Sequence, residues 1–193
     1  MSLHRATKEE PMGTTVQRSA ARAGRAGAFL WLIASVGATL EEIEYQDPTR
    51  ANPIPEWVVA TCLVSGALLI ATFVQGSEAV GGRGRLGPGR VLILLGASIS
   101  LFPLWPFFVI GPFLVAVGFF GVAVATWTSG SRTPGGILLA IGLPLSIPSG
   151  VVFEAIGQDG EYGTILFGAV LAAGISLRAI ESNRDETRVA SPA

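Results

Sequence analysis

VLILLGASISLFPLWPFFVIGPFLVAVGFFGVAVATWT, residues 91–128, runs for 38 positions without a charged side chain. One straight helix of that length would measure about 57 Å at 1.5 Å per residue, against a hydrocarbon core of about 30 Å. The stretch must therefore fold back on itself. Phe102-Pro103-Leu104-Trp105-Pro106 supplies the turn and Gly111-Pro112 lies in the return, since prolines at this spacing cannot continue a hydrogen-bonded helix. Two helices are expected, at about 90–105 and 108–128.

Working outward, four more apolar runs predict helices at about 26–43, 57–75, 135–153 and 162–179. Pro55-Glu56 and Thr133-Pro134 precede two of them. Proline needs no donor in a first turn, a carboxylate suits the positive helix end, and threonine is a good cap. The expected fold is all-α, a polytopic integral membrane protein with a six-transmembrane-helix bundle built of helical hairpins (domain 26–179). Polar tails at 1–25 and 180–193 flank it. Composition agrees: half the residues are apolar and 14% are charged, where a soluble domain carries about a quarter charged.

The basic residues set the threading. Of 13 Lys and Arg, only Arg50 falls on the second side of a six-span chain. The first side holds twelve basic and six acidic residues and the second holds one basic and eight acidic, giving the overall −1. By the positive-inside rule both termini are cytoplasmic, in the cell (plasma or inner) membrane. A cleaved signal peptide also fits part of the pattern, with basic 18–25, an apolar run and Val36-Gly37-Ala38. The long basic leader and the span that follows argue against it.

Residues 88–111 and 134–157 align without gaps, sharing Pro88/Pro134, Gly96/Gly142, Ser100/Ser146 and Gly111/Gly157 among eight identities. Both copies begin on the same side, so the expectation is a parallel repeat. Within it Glu154 answers to Phe108, which places a carboxylate at the outer boundary.

Chemistry-bearing groups are few. His4 is the sole histidine, Lys8 the sole lysine and Cys62 the sole cysteine. Paired-histidine haem ligation, an HExxH zinc site, a Schiff-base lysine within a span and an internal disulfide are therefore excluded. No enzyme, metal or cofactor is expected, and a net charge of −1 points away from nucleic acid. The glycine-rich segment 81–89 lacks the lysine and hydroxyl of a phosphate loop. Its Arg83 and Arg85, with Arg90, read as a topology signal meeting anionic lipid heads. Pro144 and Pro148 kink the fifth helix and leave carbonyls for Ser146, Ser149 or water to satisfy. Small residues four apart, such as Ala34/Ala38 and Gly96/Ser100, predict close helix packing. Trp31, Trp57, Trp105 and Trp127 read as interfacial anchors.

Two functions follow. The first is a structural or accessory membrane component in contact with the bilayer and with a membrane-protein partner or a second copy of itself. The second is a small transporter or channel for a cation, proton or small solute. Its site would combine Glu154, Glu41 and Glu42 with Ser146 and Ser149 beside the kinked helix. The position of Glu154 discriminates between them: inside the bundle beside a cavity for transport, in water for the accessory component.

Overall fold

The computed structural model describes residues 12–46, 49, 52–77, 87–102, 107–130 and 132–189. All regular structure among them is helical. In chain order the helices are α1 (Met12–Gln46), α2 (Glu56–Gly76), α3 (Pro88–Ile99), α4 (Phe107–Thr128), α5 (Pro134–Ser146), α6 (Ser149–Ala155) and α7 (Tyr162–Val189). Four of them, α1, α2, α4 and α7, are long and apolar enough to cross a membrane, and the bent pair α5–α6 is long enough if counted as one span.

The boundaries depart from expectation where physics is local. Helix α3 stops at Ile99 rather than about 105. Pro103 has no N–H to give the Ile99 carbonyl, and its ring collides with that group four residues back. The last turn instead tightens, with Leu101 N–H to Ser98 O at 3.2 Å and Phe102 N–H to Ile99 O at 3.0 Å. Twelve residues of helix cover about 18 Å, so α3 alone does not reach across a bilayer. Conversely, α1 begins at Met12 and α7 continues to Val189, so helix replaces the expected tail over 12–25 and 180–189. Two glycines with positive φ end helices: Gly130 (φ 88°) after α4 and Gly157 (φ 78°) after α6. At Gly157 the chain closes a Schellman turn, Gln158 N–H to Phe153 O at 2.9 Å and Gly157 N–H to Glu154 O at 3.0 Å.

The fifth helix breaks where two prolines predicted it would. Residues 138–142 widen into a π turn immediately before Pro144, and the axis bends by 47° between α5 and α6 around Ile147-Pro148. The Ser146 hydroxyl donates to Leu143 O at 2.7 Å and the Ser149 hydroxyl donates to Ser146 O. Pro88 and Pro134 both open a helix. Beyond Ser100 and Ser146 the copies part: 107–111 begins α4, whereas 153–157 ends α6 and turns.

Packing rests on close backbone approach, because lipid tails give apolar helices no hydrophobic incentive to associate. A Cβ on Gly96 would stand 2.6 Å from Gly111 O and 2.7 Å from Val115 N, and one on Gly118 would stand 2.6 Å from Gly89 O. These contacts join α3 and α4 as an antiparallel pair. Between α1 and α2, Gly27 faces Gly66 O and Gly24 faces the Phe73 ring. Ala28, Ala67, Ile70, Phe73 and Ile175 have no exposed surface and form the seam of α1, α2 and α7. Large apolar side chains also cover the outside, among them Phe29, Leu68, Leu145 and Val151, each more than half exposed. That inversion suits a lipid-facing surface.

Candidate functional site

The antiparallel pairings gather the acidic and basic residues at opposite ends. Glu41 and Glu42 close α1, Glu56 opens α2 and Glu161 immediately precedes α7. These four carboxylates surround the mouth of a cavity of about 710 Å³ bounded by α1, α2, α4 and α7. The cavity follows α1 from Tyr45 down to Ala28, about 25 Å of helix axis. Below the mouth its wall is apolar and aromatic, with Trp31, Leu63, Phe113, Phe167, Leu171 and Ile175.

Three polar groups of that wall are already occupied. The Trp31 indole N–H donates to Leu63 O at 2.9 Å, the Ser35 hydroxyl to Thr164 O at 3.0 Å and the Thr39 hydroxyl to Ser35 O at 2.9 Å. Trp31 is thus a buried wall residue, 6% exposed, and not an interfacial anchor. Trp57, 70% exposed beside the mouth, suits that role. At the mouth Gln46 Nε2 donates to Glu161 Oε1 at 2.6 Å and to Glu42 Oε1 at 3.5 Å. Glu41 stands among Glu42, Glu44 and Glu56, whose charges repel its own. Among the described residues, no lysine, arginine or histidine lines the cavity.

The expected site is divided by this geometry. Glu41 and Glu42 line the cavity; Glu154, Ser146 and Ser149 do not. Glu154 is exposed and lies over Gly160 in the turn after α6. Ser146 and Ser149 are buried against the helix break, where Ser149 also reaches Gly163 O at 3.4 Å. Pro144 and Pro148 shape that break and do not line the cavity. Arg90 caps the end of α2, its Nη2 donating to Gln75 O at 3.3 Å, where a cation complements the negative helix end. Arg83 and Arg85 fall outside the described residues.

Toward the opposite end lies a polar cluster that sequence inspection did not single out. Arg178, 4% exposed, donates from Nη1 to Thr133 Oγ1 at 3.0 Å and from Nη2 to Thr126 Oγ1 at 3.2 Å. Its ion pair with Glu181 measures 3.6 Å, and Glu181 accepts Gly135 N–H at 2.7 Å. Nearby, Ser182 shares a hydrogen bond with Ser77 at 3.0 Å and accepts from Gln17 Nε2 at 3.2 Å. The spacing of Arg178 and Glu181, three apart at the end of an apolar run, was the available signal. Thr133 serves twice, also accepting Gly136 N–H at 3.2 Å as the cap of α5. Thr133→Ala should cost about 1–2 kcal/mol of stability, read as a lower unfolding midpoint in detergent, while Thr133→Ser should stay near wild type.

No three His, Cys, Asp or Glu side chains among the described residues stand together as a metal site. No family model, curated protein or solved structure matches this chain.

Proposed function

We propose that this chain is a six-span protein of the cell membrane, with both termini cytoplasmic, that takes a small solute into its carboxylate-rimmed cavity from the outer side. The observation carrying the reading is the cavity itself. Its volume of about 710 Å³ falls within the range of small-molecule sites, about 300–1,000 Å³. Its carboxylates lie at one end, with exposed Tyr45 among the lining residues, while Arg18, Arg22 and Arg178 lie toward the other. Under the positive-inside rule the carboxylate end is the outer one. In the six-span arrangement α5 and α6 form one broken span, and α3 belongs to the short one. Such a cavity, rimmed by carboxylates at one end, suits a transporter for a small solute or cation. The site then consists of Glu41, Glu42, Glu56 and Glu161 over the apolar wall.

An accessory membrane component is the second reading. It draws on the exposed position of Glu154 and on the apolar face of Ile147, Val151 and Val152, each more than half exposed.

Purification from native membranes in mild detergent, followed by native mass spectrometry, tests the choice. The expected result is a bound species of small-molecule mass, reduced in Glu41→Gln and unchanged in Glu154→Gln. A stoichiometric protein partner with an empty cavity would favour the accessory component.

A further inference from the structure

We infer that the ligand of this cavity is an amphipathic organic cation, an apolar body bearing one positive centre such as a protonated amine or an onium group. The inference rests on the solute-binding reading and names its ligand class. Three features converge on it. Among the described residues, charge at the mouth is of one sign: Glu41, Glu42, Glu56 and Glu161 line it and no basic side chain does. An anion would meet only repulsion there.

Below the mouth, the hydroxyls of Ser35 and Thr39 and the indole N–H of Trp31 are spent on backbone carbonyls. A sugar or another densely polar solute would lose water along that wall without replacement. An apolar body loses nothing there and gains contact area. Trp31, Phe113 and Phe167 add aromatic faces, which attract a cation that has shed part of its hydration.

A bare metal ion is the third alternative, and it needs several oxygen ligands at once to replace its water. Among the described residues no three carboxylates converge closely enough to hold one metal ion, which argues against that occupant. A diffuse onium charge does not require such a cluster. It can rest between separated carboxylates with its body in the cavity.

The test uses probes of matched bulk and different charge. Purified full-length protein in detergent is dialysed to equilibrium against tetraphenylphosphonium, tetraphenylborate or neutral triphenylphosphine oxide, with protein-free micelles as background. Saturable phosphonium binding is expected, with the borate at least about ten-fold weaker. Glu41→Gln/Glu56→Gln should weaken phosphonium binding by about ten-fold and leave the neutral oxide unchanged. Glu42→Gln/Glu161→Gln serves as a second pair if the first unfolds. Ala60→Phe, or Ala38→Leu if that variant is unstable, should remove the binding of every probe.

Borate or oxide binding as tight as phosphonium binding, and lost in the filled variants, would overturn the cation assignment while leaving the solute cavity in place. Wild-type phosphonium affinity in both carboxylate pairs would overturn it equally. No saturable binding of any probe would overturn the cavity reading together with the inference.

Discussion

Arg178→Ala is expected to destabilise the protein by about 3–5 kcal/mol, the range found when one member of a buried ion pair is removed. The side chain is 4% exposed and joins α7 to Thr126 of α4 and to Thr133 at the start of α5. Its loss strands Glu181, whose Oε2 is buried and makes no hydrogen bond. Most of the penalty therefore arises from the carboxylate left behind rather than from the bonds deleted. Two further substitutions separate these contributions. Arg178→Lys keeps the charge but cannot reach both threonines as a planar fork does, so an intermediate loss is expected. Arg178→Met/Glu181→Leu removes both charges and should recover much of the stability lost in Arg178→Ala. Equilibrium unfolding in mixed micelles reads all three. A loss below about 1 kcal/mol for Arg178→Ala, the value of an exposed pair, would mean that the cluster is solvated and does not hold that end of the bundle together.

Gly96→Val should produce the second large effect. A Cβ at this position meets Gly111 O and Val115 N, two backbone atoms that cannot rotate aside. The α3–α4 pair must separate, and Ser100, which is fully buried and packs against Gly111, separates with it. Overpacking of this kind costs about 1–3 kcal/mol, and the backbone origin of the clash places Gly96→Val at the upper end. Gly121→Val is the control on the same helix pair, because a Cβ there finds no atom nearer than 3.9 Å. Equal stability losses in the two variants would show that helix propensity, not approach distance, governs the result.

Much of this architecture is legible in the sequence because the bilayer imposes so few solutions. The uncharged stretch 91–128 forces a turn by length alone, and Phe102-Pro103 marks it. Thr133-Pro134 opens a helix as its chemistry requires, and the break predicted from Pro144 and Pro148 appears as a π turn and a bend of 47°. The early end of α3 was also legible in principle, since Pro103 acts on a carbonyl four residues upstream and not on its immediate neighbour.

The site was legible only in part, for a different reason. Glu41 and Glu42 end an apolar run and were visible as carboxylates at a boundary. Whether Glu154 joins them depends on how far the chain bends after Pro148, and no local pattern encodes that angle. The bend carries Glu154 over Gly160 and leaves Glu56 and Glu161 as the other carboxylates of the mouth. Trp31 illustrates the same limit. Its position within an apolar run does not reveal that Gly66 leaves room for the ring or that Leu63 O accepts its indole proton. The Arg178 cluster joins residues from α4, the α4–α5 connection and α7, a tertiary coincidence that periodicity does not record.

The central claim is a cavity reached from outside in a chain whose basic end lies in the cytoplasm. Thiol labelling tests both halves at once. In a Cys62→Ser background, Ala60→Cys and Ala38→Cys place single thiols in the cavity, and Ser19→Cys places one at the exposed basic end of α1. Intact cells stripped of outer barriers are treated with a membrane-impermeant methanethiosulfonate reagent. Modification of Ala60→Cys and Ala38→Cys is expected in intact cells, and of Ser19→Cys only after permeabilisation. Modification of Ser19→Cys in intact cells, with the two cavity positions protected until permeabilisation, would contradict that claim.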